Sequence, residues 1–117
     1  MLTIPPHMRI YLCTTPTDMR KSFDGLYSLV QHVFEQDPLE GHLFLFVNRR
    51  GDRLKMLWWD RDGLALFCKR LEAGSFQVPA PADDVQGIEI DAAHLAMLLS
   101  GIDVSSARRR KRYSRVA

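Results

Sequence analysis

Apolar positions along the chain come in short bursts whose spacing changes from strand-like to helix-like and back. Arg9 to Cys13 (RIYLC) is rich in β-formers and predicts a first strand. Thr14 to Asp18 reads as a helix start. Thr15 is the expected cap, Pro16 suits the first helical position, and Asp18 stands where a capping-box acid reaches back. Met19, Phe23, Leu26, Val30 and Val33 then recur at steps of three and four, one stripe of an α-helix with Tyr27 and Phe34 at its edge. Asp37-Pro38 is the expected stop.

Leu43 to Asn48 and Arg53 to Trp59 bracket the polar, glycine-containing turn Arg49-Arg50-Gly51-Asp52, the pattern of a β-hairpin. Both strands are apolar at most positions, so both faces should be covered, with Lys55 directed to an edge or an exposed groove. Leu64, Phe67, Cys68 and Leu71 fit a second helical stripe, over about Gly63 to Glu72, capped by Asp60 or Asp62 and ended at Gly74. Val78-Pro79-Ala80-Pro81 is a semi-rigid connector. Ile88 to Ile90 predicts a short edge strand. A last helix starts at Asp91 as N-cap, turns Leu95, Leu98 and Leu99 inward and stops at Gly101. The expected architecture is α+β: an antiparallel sheet of about three strands with a central hairpin, packed against two or three helices. The expected organisation is one domain over 1–104, followed by a flexible, disordered basic tail over 105–117.

Length and composition agree with that reading, since 117 residues that are 46% hydrophobic suit one compact core. No apolar run nears the ~18 residues that cross a bilayer, and no charged segment followed by an apolar one marks a signal peptide; the expected location is cytoplasmic. Cys13 and Cys68 lie outside any CxxC spacing and are expected as small core residues rather than a disulfide. His7, His32, His42 and His94 are scattered, so neither a metal site nor a cofactor is expected.

Charge changes the picture more. The net of +2 hides a segregation: residues 1–107 carry ten Lys/Arg and fourteen Asp/Glu, while 108–117 carry six basic residues and no acid. Within the body, 49–70 hold seven basic and three acidic residues, and 71–107 hold six acids and no base. A basic end on a near-neutral body points to a polyanionic partner. Two groups of cations are the candidate nucleic-acid contacts. One is the tail, Arg108, Arg109, Arg110, Lys111, Arg112 and Arg115, with Tyr113 available to stack on an unpaired base. The other is Arg49, Arg50, Arg53, Lys55, Lys69 and Arg70 around the hairpin. The bland alternatives are a solubilising tail and a solvated turn whose charges pair with Asp52, Asp60 and Glu72. Trp58 and Trp59, adjacent on a strand, must face opposite sides, one in the core and the other an anchor for a partner if exposed.

No GxSxG, P-loop, HExxH or Cys/His arrangement is present, so no catalytic residue is nominated. Paired carboxylates such as Asp60 and Asp62, or Asp18 and Asp24, are chemically able to hold Mg²⁺, but each has a simpler role as cap, turn or surface residue.

The run from Leu45 to Asp60 (LFVNRRGDRLKMLWWD), followed by Gly63, Lys69-Arg70-Leu71-Glu72, Gly74 and Phe76, resembles the signature of the TnpB-type accessory proteins of insertion-sequence family sixty-six. Asp18-Met19-Arg20 is similar to that family's opening motif, and Leu98 to Asp103 with the arginine-rich end to its close. Leu64 and Val78 depart from it, standing where aromatics are expected. The resemblance implies a non-enzymatic protein encoded beside a larger transposase and needed for movement of the element; it carries no agreed catalytic residues. It is distinct from the RNA-guided nuclease that shares the TnpB name, for which the chain is too short. Three readings follow: a DNA-binding accessory factor gripping element ends through phosphates, its acidic region after Leu71 facing a protein; a module that tethers or activates the transposase without touching DNA; and, third, a metal-dependent nuclease. Partners are accordingly DNA and the transposase of the same element, with no membrane and the oligomeric state open.

Overall fold

The computed structural model describes residues 4–101. The chain runs β1 (Ile10–Cys13), α1 (Phe23–Val33), a single 3₁₀ turn (Pro38–Glu40), β2 (Leu43–Val47), β3 (Arg53–Asp60), β4 (Gly63–Arg70), β5 (Gly87–Ile90) and α2 (Ala92–Leu99). The fold is α+β, but the sheet has five strands in the order β4-β3-β2-β1-β5 and is mixed. β1 and β2 are parallel, joined through α1, while the other neighbouring pairs are antiparallel. The expected all-antiparallel sheet of about three strands is therefore corrected.

Alternation along the strands builds a core on each face. Ile10, Leu12, Leu43, Leu45, Val47, Leu54, Met56 and Ile90 join Leu95 and Leu98 of α2 on one side. Cys13, Phe44, Phe46 and Leu57 join Leu26 and Val30 of α1 on the other. All five residues of β2 are buried, as the unbroken run LFLFV requires of a central strand covered twice. Phe44 and Phe46 are fully buried, and each such side chain contributes about 1.5–3 kcal/mol. The Phe34 ring stacks obliquely on Phe44 at 5.4 Å and on Tyr11 at 5.7 Å. It also presses on Gly87 of β5, where a Cβ would lie 2.6 Å from Phe34 Cδ1 and closer still to Cε1.

The hairpin, the edge strand and the last helix stand where the pattern put them. Asp91 Oδ1 accepts from the His94 N–H at 2.7 Å, and α2 ends over Gly101 at φ +73°. The second stripe does not form a helix. Gly63–Arg70 is β4, paired with β3 along its whole length from Asp60↔Gly63 to Arg53↔Arg70. Leu64 and Leu66 pack toward α1, and Phe67 with the following Leu71 toward α2, so a run partly covered on both faces mimics a helical stripe. Asp60 consequently ends β3 and Asp62 is the second residue of the two-residue turn Arg61-Asp62, with Arg61 at φ +56°, and neither caps a helix.

The first helix also starts later than expected, at Ser22 rather than Thr15, and Ser22 makes no side-chain capping bond. Met19 precedes the helix, and Phe23, on its expected inner stripe, is 43% exposed. α1 ends at Val33, ahead of Asp37, which instead caps the 3₁₀ turn through Leu39 N–H. Cys13 is buried, but Cys68 is exposed on β4 rather than in the core; both are free thiols. The expected boundary at 104 and the tail over 105–117 lie outside the described residues.

Candidate nucleic-acid interface

The hairpin cluster forms at one end of the β3–β4 pair. The turn beneath it is fixed by its own polar groups: Asn48 Oδ1 accepts from Arg53 N–H at 3.1 Å, and Asn48 Nδ2 donates to Asp52 Oδ1 at 2.7 Å. Gly51, at φ +78°, gives its carbonyl to Phe76 N–H at 2.7 Å, while the Asp52 carbonyl takes Leu71 N–H at 2.7 Å. These bonds tie the tip to the 71–76 segment and hold Arg49 and Arg50 outward, where both are exposed. Asp52 sits below the usual carboxylate range, chiefly through the Asn48 amide and less through Arg50 and Arg53.

The six nominated hairpin residues do not act as one group. Lys55 Nζ donates to two backbone carbonyls, Met19 O at 2.9 Å and Lys21 O at 2.7 Å, and so fastens the segment before α1 to the sheet. Lys69 Nζ donates to Leu99 O at 2.8 Å, at the C-terminus of α2, where the helix dipole favours a cation. Both lysines are half-buried anchors. Arg49, Arg50, Arg53 and Arg70 remain at the surface. Arg53 and Arg70 stand directly opposite each other in the β3–β4 register. Among the described residues only Arg70 of the four has an ion-pair partner, Glu72 at 3.0 Å, with both side chains mostly exposed. Neither Asp52 nor Asp60 forms an ion pair with the cluster; Asp60 lies at the far end of β3. A groove of about 510 Å³ runs beside it, lined by Met19, Arg53, Lys55, Lys69, Arg70 and Glu72.

Arg20 is not among the residues nominated from sequence, yet it lies close by: a smaller cleft brings Asp18 and Met19 against Arg49, Arg50 and Arg53. Arg20 forks onto Asp18, with Nη2 2.7 Å from Oδ2 and Nε 3.1 Å from Oδ1, and its side chain is 91% exposed. That bond, with the Arg20 N–H, lowers the Asp18 carboxyl to about 2. The Asp-Met-Arg spacing is its only sequence signal, and the capping chemistry of Asp18 masks it. Asp60 and Asp62 sit at the opposite end of the sheet; among the described residues no three His, Cys, Asp or Glu side chains converge as a metal site. Trp58 packs against the α2-side core and Trp59 is half-buried on the other face, so neither is an exposed anchor. Arg108, Arg109, Arg110, Lys111, Arg112 and Arg115 lie outside the described residues. No helix among the described residues is long and apolar enough to cross a membrane.

Fold and site together define a small α+β protein with a five-stranded mixed sheet whose central hairpin carries surface arginines. The chain belongs to the family described as IS66 Orf2 like protein, whose model matches residues 8–109. It is 43% identical over 103 residues to the uncharacterized protein y4hO of Sinorhizobium fredii (strain NBRC 101917 / NGR234), covering 88% of each chain. A second protein of that strain, y4jC, is 34% identical over 112 residues, 94% of each chain. No solved structure matches. Membership associates the chain with insertion-sequence transposition in an accessory role.

Proposed function

We propose that this accessory role is non-catalytic binding of element DNA through backbone phosphates, with Arg49, Arg50, Arg53 and Arg70 as the contacts of the folded body. The observation that carries the reading is the Arg53↔Arg70 register pair beyond a rigid turn that presents two more arginines. Like charges directly opposite on a sheet weaken it by a few tenths of a kcal/mol or more, so the fold gains nothing from this pair. A phosphodiester backbone relieves the repulsion, and arginine forks suit its oxygens. The tail cations Arg108 to Arg112 and Arg115 add charge to the same task.

The test is fluorescence anisotropy with element-end and scrambled DNA over a salt series, using the full chain, a chain ending at Ser106, and R53A/R70A. Binding should weaken as salt rises, and R53A/R70A should flatten the dependence in both lengths. Binding indifferent to salt, or none, refutes the reading. A second reading has one observation in its favour: Glu72, Asp83, Asp84, Glu89 and Asp91 are all exposed, with no Lys or Arg between 71 and 101. Such a surface suits a basic face of the transposase, and the protein would then tether its partner. Transposition that survives removal of Arg108 to Arg115 and the R53A/R70A change would favour it.

A further inference from the structure

The two outer strands of the sheet differ in how they are protected. β5 has four residues and carries Glu89. β4 has eight, and Leu64 to Cys68 is uncharged. Among the described residues no backbone hydrogen bond reaches the outer side of β4. Its residues are half-buried or exposed, and none is fully covered. Long, uncharged outer strands are templates for pairing, and natural proteins usually block them with charge, proline or a bulge. Here the charges lie only at the ends: Asp62 just before the strand, Lys69 and Arg70 at its finish.

We propose that β4 pairs antiparallel with β4 of a second copy, joining two sheets across a two-fold axis. The ends decide the direction. Parallel pairing would set Lys69 and Arg70 beside the same residues of the other copy, whereas antiparallel pairing brings them to the other copy's acidic turn. Symmetry restricts the register. A two-fold axis normal to the sheet preserves its faces, so residues opposite each other must be both even or both odd in number. Centring on Leu66 sets Arg70 opposite Asp62 of the second copy, Cys68 opposite Leu64, and Phe67 opposite Ala65, large against small. Centring on Phe67 sets Arg70 against Leu64 and Lys69 against Ala65. Centring on Ala65 sets Lys69 against Arg61. In the Ala65 register Arg70 meets Asp60 by the same counting, but Asp60 ends β3 and is not on the outer strand. Within residues 62–70 only the Leu66 register matches opposite charges, and it does so twice by symmetry. The proposal shares Arg70 with the DNA-binding reading but does not rest on it, because it is read without DNA, as mass and as disulfide formation, and D62R and L64C leave the proposed DNA contacts untouched.

The test uses the full chain. Sedimentation equilibrium should give twice the chain mass of 13.4 kDa. D62R and R70D should each weaken dimerisation on the order of tenfold, through two repulsive pairs per dimer, and D62R/R70D should restore it. Under mild oxidation L64C should form an intermolecular disulfide with Cys68 of the second copy. The two cysteines within one chain are four strand residues apart, about 13 Å, beyond disulfide reach. Wild type should not cross-link, since the two Cys68 residues are offset equally, and L64C/C68S should not either. A monomer at every concentration overturns the proposal. So does a dimer indifferent to the charge exchange and lacking the L64C cross-link. A dimer that forms only after removal of residues 102–117 overturns it too, by showing that the chain's own end occupies β4.

Discussion

Substituting lysines and arginines of the hairpin cluster one at a time separates anchoring from the proposed DNA contact, because cations close in sequence have different partners in space. Lys55→Met removes a cation shared by Met19 O and Lys21 O, at 2.9 and 2.7 Å. Hydrogen bonds from a charged donor contribute about 1.5–3 kcal/mol each when desolvated. Lys55 is only half-buried and the methionine stem keeps much of its packing, so we expect a loss of about 1–2 kcal/mol in all. For a domain of this size that lowers Tm by roughly 4–8 °C. Arg53→Ala should do the opposite. Removing one member of the Arg53↔Arg70 pair relieves repulsion and should leave Tm unchanged or slightly higher. Each phosphate that is no longer neutralised should reduce the slope of log K against log salt by about 0.9, so R53A/R70A should lose nearly two units of slope. Differential scanning fluorimetry and salt-series anisotropy on the same samples give both readouts. Should K55M flatten the salt slope as much as R53A while Tm holds, Lys55 would be a phosphate contact and the division of the cluster would be wrong.

Gly87→Ala places a methyl inside the Phe34 ring, which is hemmed in by Tyr11, Phe44 and Phe46. Overpacking of this kind costs about 1–3 kcal/mol, and the urea midpoint should fall by roughly 1 M at an unchanged m-value; an unmoved midpoint would show that the ring swings aside. Asp91→Ala removes the cap on His94 N–H and should cost about 1 kcal/mol by the same urea assay, with fraying seen as faster amide exchange in the first turn of α2. Asp18 has its carboxyl lowered to about 2, first by the Arg20 side chain and then by its backbone N–H. A depressed carboxylate stabilises the fold above its ordinary range and loses that contribution as pH falls toward 2. Wild type should therefore be more stable than Asp18→Asn at neutral pH, the gap closing between about pH 4 and pH 2 in acid titrations; a gap independent of pH would mean that the Arg20 fork does not hold in solution.

The elements legible in the sequence are those whose signals are local. Asp91 as a cap, Gly101 as a stop and the polar turn between Val47 and Arg53 each need only their own neighbours, and each stands where it is expected. β4 misleads because its evidence is not local. A strand covered on one face alternates, but Gly63–Arg70 is partly covered on both, and Leu64, Phe67 and Leu71 then fall by chance at helical steps. A corrective signal is present: Asp60-Arg61-Asp62-Gly63 after a strand-like run is a short polar stretch with glycine, like 49–52, and such a stretch between two apolar runs also fits a second hairpin turn. The late start of α1 has a similar cause. Thr15 and Pro16 have capping chemistry, yet the chain first needs residues 14–22 to leave the sheet and reach Lys55, which no local motif reports. The parallel β1–β2 pairing follows from that same connection through α1 and is equally hidden.

The site is legible as composition and not as geometry. Seven cations within 49–70, six of them nominated, announce a basic surface, but which of them face solvent depends on carbonyls more than thirty positions upstream for Lys55 and thirty downstream for Lys69. Lys69 and Arg70 are neighbours in the chain and point to opposite faces of β4, so one closes α2 while the other joins Arg53. The expected compensation by acids fails for a related reason: Asp52 spends its hydrogen bond on Asn48, and Asp60 is at the far end of its strand, leaving Glu72 alone in contact. A surface whose cations are held on a braced turn, and whose nearby acids are mostly occupied elsewhere, keeps its positive potential without reorganising. Under the proposed DNA-binding reading this suits a phosphate backbone, because a turn whose main chain is already fixed loses less entropy on binding than a loose one. It follows that loosening the brace should weaken DNA binding even when no arginine is touched. Asn48→Ala, which frees both Arg53 N–H and the Asp52 carboxylate, is the variant that tests this. Its affinity should fall at low salt with the salt slope nearly intact, since the phosphate contacts survive and only their pre-organisation is removed. An Asn48→Ala protein that binds as wild type does would mean that the arginines act as a diffuse charge, and that the geometry of the turn is irrelevant to the grip.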